Sequence, residues 1–401
     1  MRVLCVTAWD GGSGCMTVVR SIAEQLRPHG VAFEAFCFQG FLPDSPWLQV
    51  SSKLYNHHKE TLTEIVGRGR FDVVLIVDTA YPRPFSATLW LRRAGFRGGI
   101  VCMSQNTIPE LRAGDQADVF VACSPASQAV MQRAIKDPIR VIPNAIDLDY
   151  FRPRPATQAP ADGRPVLGWV GRGNDFKQKD IHGFFHLAAA LRGRGYRFAV
   201  VDGGQNIEEV RLRDWFGEDE VEYHSQLTRD EMAAFYNRLA ASRGALISTS
   251  TFEGLPLCLL EAMACRCPVI APRIPGTEIL DERGLALMYD RSAGLEQVID
   301  HVYGLADAAA REALVDHAAQ VVRQDHASSS MAAAYHAAFH DAIDVARANH
   351  ASGLTTRFSA AAWMVGLRGK RILHRLKSIL GVSKPPTSAM PKGATMPKGV
   401  A

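Results

Sequence analysis

The sequence predicts an α/β protein made of two Rossmann-like domains joined by a short linker. Three observations carry this. Short, β-branched and almost wholly apolar runs recur along both halves of the 401 residues, as parallel strands do when helices cover both their faces. Helical segments of 10 to 20 residues separate several of these runs, the alternation of a doubly wound sheet. Near the middle, RPRPATQAPADGRP (152–165) interrupts the pattern with Pro, Ala and polar residues and no apolar period, as a linker does.

The first domain, 1–151, holds RVLCVTA (2–8), VAFEAFCF (31–38), FDVVLIVD (71–78), GIVCMS (99–104), DVFVACS (118–124) and IRVIPN (139–144) as strands, with MTVVRSIAEQL and FSATLWLRRAG as helical segments. Beyond the linker, the second domain, 166–327, starts on PVLGWVG (165–171) and continues through YRFAVVDGG (196–204), VEYH (221–224), GALISTS (244–250) and CPVIAP (267–272). The Ala-rich stretch that contains Tyr335 is a helix over 328–350. Next comes a segment of another kind, a basic amphipathic helix within 351–380. Val365, Ile372, Leu373, Leu376, Ile379 and Leu380 share one stripe, Arg368, Arg371, Arg375 and Lys377 lie off it, and Trp363 stands near its apolar start. Residues 356–380 suit the interface of an anionic membrane, with docking to a protein partner as the alternative. The Pro/Gly-rich end, 381–401, repeats MPKG and reads as disordered.

With 47% hydrophobic and 21% charged residues, the chain is too apolar for general disorder and long enough for two cores. Residues 351–401 hold nine of the 45 Lys/Arg and no Asp/Glu, which leaves 36 basic against 41 acidic side chains in the first 350 residues. The basic balance therefore belongs to the tail, and no nucleic-acid partner is expected. Eight cysteines lie mainly in apolar runs without a CxxC pair, the pattern of reduced core thiols in a cytoplasmic protein. The N-terminal apolar stretch is too short for an export signal, and no run reaches a membrane span of about 18 residues.

Ligands of such sheets bind beyond the carboxyl ends of the strands, so the residues there carry the function. After the first strand, WDGGSG (9–14) offers Gly11, Gly12 and Gly14, which let the backbone turn tightly and approach a ligand, with Gly12 as the candidate contact; a plain turn explains them equally. In the second domain, GWVGRGNDFKQKD places Arg172, then Lys177 or Lys179, where cations meet a diphosphate. A solvated loop is the alternative. Neither a P-loop nor a GxGxxG fingerprint is present. Most informative is STSTFEGLPLCLLEAMACRCP (248–268), an apolar run containing Glu261 and preceded by Glu253. An unpaired charge is costly to bury. Pro256 suits the first position of a helix, which leaves Glu253 in the loop, with Gly254 and Leu255, and Glu261 about one and a half turns in. Carboxylates so placed accept hydrogen bonds from the hydroxyls of a ribose or a sugar ring; an ordinary salt-bridged helix residue explains Glu261 equally when the segment is taken alone.

The ordered set of FEGLPLCLLEAMACRCPVIA, VIPNAIDLDYF (141–151), GWVGR with a following lysine, and VDGG (201–204) resembles retaining glycosyltransferase family 4, whose members have the two-domain GT-B architecture. The resemblance spans about residues 1–345. It implies that Glu253 contacts the transferred sugar, Glu261 holds the nucleotide ribose, and Arg172 with Lys177 neutralises the leaving diphosphate; Lys179 competes with Lys177 for that role. Many members carry a histidine near the reaction centre where this chain reads MSQN. Ser104, Gln105 and Asn106 donate hydrogen bonds there without reproducing a cationic imidazole, so the sugar is expected to differ. Asp147 and Asp149 adjoin the linker and are not a metal motif; no metal or cofactor is expected. The implied activity is metal-independent transfer of a hexose-type sugar from a UDP- or GDP-linked donor to a glycan or lipid-linked acceptor in envelope polysaccharide synthesis, at the inner face of the plasma membrane. The alternatives are a nucleotide-sugar epimerase on the same scaffold and a non-catalytic glycan-binding protein.

Overall fold

The apolar runs become the strands of two parallel sheets. In a computed structural model of the chain, β1 (Arg2–Thr7), β2 (Ala32–Cys37), β3 (Leu54–Asn56), β4 (Val73–Val77), β5 (Gly99–Ser104), β6 (Val119–Ala122) and β7 (Ile139–Val141) form one sheet in the order β3-β2-β1-β4-β5-β6-β7. The second sheet runs β10-β9-β8-β11-β12-β13, from β8 (Val166–Gly171), β9 (Arg197–Asp202), β10 (Val221–Ser225), β11 (Ala245–Ile247), β12 (Val269–Pro272) and β13 (Leu287–Tyr289). Every pairing is parallel. The structure describes all residues except 9–13, 42–44, 57–58, 78–87, 89–90, 106–116, 134, 155–159, 174–176, 204–220 and 352–401. Residues 85–87 and 89–90 of the segment expected to be helical at 85–95, the expected basic helix beyond residue 351 and the expected disordered end lie outside the described residues.

Both strand orders reverse beside the first strand of their half, between β1 and β4 and between β8 and β11. These are the switch points at which doubly wound sheets bind ligands. β4, β5 and β6 are buried along their whole length, as strands covered on both faces must be. The three-residue edge strands β3 and β13 are absent from the sequence reading, because neither contains an apolar run long enough to mark it. They are added by pairing with β2 and β12.

Local signals set the helix starts that aim the loops. Thr61 and Thr228 form capping boxes with Glu64 and Glu231, and Ser124 caps the helix Pro125–Gln132 through the Ser127 amide. Apolar clusters cover both faces of each sheet.

Met1–Arg347 forms one compact unit, within which the chain passes between the sheets twice. The two passages are stitched together: Ile146 bridges Ala327, the Ile146 amide donates to the His326 carbonyl at 2.9 Å, and the Ser328 amide donates to the Ile146 carbonyl at 2.9 Å. The helix Ser328–Ala351 then returns to the first sheet, where Met331, Tyr335, Ala338, Phe339 and Ala342 complete its core. Gly99 permits this approach, since a Cβ there would lie 2.7 Å from the backbone at Ala342 and Ile343. Among the described residues no helix is long and apolar enough to cross a membrane.

Candidate active site

The carboxyl ends of β8 and β11 bring the charged residues of the second half together. β8 ends at Gly171, and Arg172 follows, partly buried. The next amide, Gly173, donates to Asp202 Oδ1 at 2.8 Å, so the buried aspartate at the end of β9 fixes the turn. The Lys177 side chain is exposed, and its carbonyl accepts a hydrogen bond from Thr251 Oγ1. Lys179 points the other way, and its Nζ lies 2.6 Å from Glu253 Oε1. The lysine side chain is 17% exposed and the glutamate side chain 7%, so this is a largely buried ion pair. Burial alone would lower the Lys179 pKa, but the Glu253 carboxylate outweighs it and raises the ammonium above its ordinary value.

Glu253 is thus buried with partners. Ser250 Oγ donates to the same Oε1 at 2.6 Å, and Gln178 Nε2 reaches Oε2 at 3.4 Å. Its backbone is held as well, its amide donating to the Pro275 carbonyl at 2.9 Å. Gly276 lies against this loop at φ +95°, and a Cβ there would run into the Glu253 carbonyl. Arg291 clamps both sides of the pair: it bonds the Thr249 and Ser250 carbonyls and meets Asp180 Oδ2 at 2.7 Å. Asp180 sits beside Lys179 in the left-handed region, φ 43°, where it caps the helix Ile181–Ala190. Thr249 Oγ1 donates to the Lys179 and Asp180 carbonyls and accepts from Trp169 Nε1 at 3.0 Å.

The helix after this loop is Leu257–Ala264, with Pro256 at its N-cap rather than in its first turn as the sequence suggested. Proline fits there because the extended ψ of 114° suits a residue that enters the helix without a donor. Glu261, one and a half turns in, accepts from Tyr236 Oη at 2.9 Å. Burial raises its pKa to about 7, against the pull of the Tyr236 hydroxyl and the more distant Arg229 guanidinium.

That shift has a measurable consequence. Between its ordinary value of 4.5 and about 7, the folded protein keeps a proton that the unfolded chain releases, so this group's contribution is present below pH 4.5 and is lost as the pH rises through 7. Glu261→Gln does not titrate. Relative to wild type it should gain about 2 kcal/mol of stability between pH 5 and pH 8, read from urea unfolding at the two pH values; no differential gain would show an unperturbed carboxyl.

Residues from the first sheet complete the arrangement. Ser104 ends β5 fully buried, and Gln105 follows at 8% exposure. Gly254 presses on it: a Cβ at Gly254 would run into the Gln105 carbonyl oxygen and lie 2.8 Å from Cys123 Sγ. The carboxyl ends of the two sheets therefore touch at the residue next to Glu253. The Leu255 side chain is buried in the core of the second sheet, and its carbonyl accepts from Asn144 Nδ2 at 2.9 Å. Gly12 and Asn106 lie outside the described residues. Asp147 Oδ1 accepts from the Asp149 amide at 3.0 Å, a local turn contact. Arg291, Gly276, Tyr236 and Arg229 escape sequence reasoning; only Gly276, in a Pro-Gly pair, carries a local signal.

Two doubly wound parallel sheets that meet at their carboxyl ends, with cations and carboxylates at the second switch point, form a GT-B fold. It superposes on sucrose-phosphate synthase from Thermosynechococcus elongatus with a TM-score of 0.68 at 18% identity, covering 84% of this chain and 98% of that one. HepE from Anabaena, solved in complex with UDP-glucose, gives 0.65 at 16% identity, covering 83% of this chain and 97% of that one. Residues 164–307 match the model of the family Glycosyl transferases group 1. In sequence it is 30% identical over 253 residues to the D-inositol 3-phosphate glycosyltransferase of Mycolicibacterium smegmatis, covering 58% of this chain and 56% of that protein. To the protein of the same name from an Arthrobacter species it is 29% identical over 214 residues, covering 48% and 49%. The chain spans about half the length of the curated relatives it matches.

Proposed function

We propose that the protein is a retaining, metal-independent glycosyltransferase that moves a hexose-type sugar from a UDP- or GDP-linked donor to an acceptor hydroxyl. One observation carries the reading: the buried Lys179–Glu253 pair stands at the second switch point, inside the segment that matches the family. An ammonium has three donors and Glu253 engages one, which leaves donors for a diphosphate. Arg172, at the end of β8, adds a fork-shaped cation. Together they stabilise the charge that develops on the departing nucleoside diphosphate, the main contribution a preorganised site can make. Glu261 accepts hydrogen bonds from the ribose hydroxyls. Glu253 and the backbone amides at Gly254 and Leu255 address the sugar, with Ser104 and Gln105 on the first-sheet side. The exposed Lys177 contributes long-range attraction.

The test is the stereochemistry of transfer. Incubation with UDP-glucose and with GDP-mannose, alone and with lipid-linked or free glycan acceptors, should release nucleoside diphosphate and form a product with the anomeric configuration of the donor, read by proton NMR. An inverted product would refute retention, and an epimerised donor without transfer would favour an epimerase.

The basic segment 356–380 gives this enzyme an envelope setting, because a surface-bound enzyme meets a lipid-linked acceptor at raised local concentration. The full chain should sediment with vesicles containing phosphatidylglycerol at low salt. The variant carrying Arg368→Gln, Arg371→Gln, Arg375→Gln and Lys377→Gln should lose about 3 to 4 kcal/mol of that affinity. Equal sedimentation of the two proteins would exclude the membrane role.

A further inference from the structure

The Leu255 carbonyl lies one residue before the one that the helix Leu257–Ala264 uses, since the Leu259 and Leu260 amides both donate to Pro256. Its partner comes from the other half of the chain: Asn144 Nδ2 donates to it at 2.9 Å. Asn144 is buried and stands three residues past the end of β7, on a segment that the Ile142 amide fastens to the first sheet through the Ala122 carbonyl at 2.9 Å. Asn144 is gripped in turn. Its own carbonyl accepts from Nδ1 of the buried His326 at 2.8 Å, on the second passage between the sheets. A carbonyl only accepts, so this imidazole carries a proton on Nδ1, and burial keeps its pKa below the ordinary value.

We propose that Asn144, held by His326, is a positioning residue for Glu253: its side-chain amide fixes the loop of Glu253, Gly254 and Leu255 to the first half of the chain. The amide is only half used. Asn144 Oδ1 is buried with no hydrogen-bond partner among the described residues, and so is His326 Nε2. Leaving a buried polar atom unpaired is costly, and an apolar residue would fill the same space without that cost. What the asparagine adds is the bond to Leu255. That bond ends two residues from Glu253, whose carboxylate meets Lys179. Pro275, Ser250, Gln178 and Lys179 hold Glu253 from its own half of the chain; Asn144 adds a directional bond from the other half, beside the Gln105 backbone on which Gly254 packs. Releasing it lets the loop shift against the first sheet, and the Glu253 carboxylate shifts with it.

The inference rests on the proposed role of Glu253 for its effect on turnover, but the tie itself is measurable without a substrate. Asn144→Ala should lower turnover of the donor about tenfold to 100-fold, while affinity for UDP and GDP changes less than about threefold, because Arg172 and Glu261 stand outside this loop. Asn144→Ser, too short to reach the Leu255 carbonyl, serves as the second variant if the alanine form folds poorly. His326→Leu should lower turnover in the same direction. His326→Asn keeps an N–H near the place of Nδ1 and should recover most of that loss. Hydrogen exchange of residues 250–257 reads the tie directly: it should quicken about tenfold or more in Asn144→Ala, with β8 unchanged. Turnover near wild type in a folded Asn144 variant, an equal loss of turnover and nucleotide affinity, no recovery in His326→Asn, or unaltered exchange at 250–257 would overturn the proposal. If exchange quickens while the wild type transfers from no donor, the tie stands and the glycosyltransferase reading fails.

Discussion

Lys179→Met should destabilise the protein by about 2 to 4 kcal/mol, because it leaves the carboxylate of Glu253 in a largely buried site without its counter-charge. Ser250 and Gln178 still donate to that carboxylate, which keeps the loss below that of a wholly orphaned ion. Turnover should fall at least about 100-fold, the scale of removing one group that stabilises developing charge. Adding Glu253→Gln to Lys179→Met separates the two effects. The double variant has no uncompensated charge, so much of the stability should return while turnover stays low. Unfolding in urea and steady-state release of nucleoside diphosphate give the two readouts. Recovery of both together would mean that the pair serves only the fold.

Gly254→Ala should have the second largest effect, and it acts through backbone rather than charge. Its Cβ would run into the Gln105 carbonyl and stand 2.7 Å from the carbonyl carbon and 2.8 Å from Cys123 Sγ. Backbone cannot yield as a flexible side chain can, so the loop after β11 and the end of β5 must separate. Overpacking of this kind costs about 1 to 3 kcal/mol. Glu253 is the adjacent residue, and a misplacement of about 1 Å at a reacting centre lowers turnover on the order of 100-fold. Kinetics near wild type in a folded Gly254→Ala protein would show that the contact between the sheets has no bearing on the site.

The sequence made the two sheets legible because parallel strands buried on both faces must be apolar throughout, and β4, β5 and β6 are. The places of three charged residues were legible as well: Arg172 directly follows β8, Glu253 lies in the loop after β11, and Glu261 lies in the helix that follows. What it left open has a physical reason in each case. Lys177 and Lys179 are two residues apart in an irregular loop, where no periodicity says which side chain turns inward; the fold turns Lys179 toward Glu253. Arg291 reaches the Thr249 carbonyl and Asp180 from the end of β13, and no local pattern announces a contact made only by the pairing of β12 with β13. The same holds for Tyr236 and Arg229, whose helix reads simply as a capped surface helix until it is packed against Leu257–Ala264. Pro256 sits one position earlier than expected because its φ of −74° serves an N-cap as well as a first turn.

We propose that the second switch point binds a nucleoside diphosphate sugar through Lys179, Arg172 and Glu261. Calorimetric titration of the full chain with UDP-glucose, GDP-mannose and the free UDP and GDP tests it most directly, with Lys179→Met and Glu261→Gln titrated alongside. One-to-one binding of at least one donor is expected, weakened about tenfold or more in each variant, the loss of a charged hydrogen bond. Binding by none of the four ligands, or binding that both folded variants retain undiminished, would contradict it.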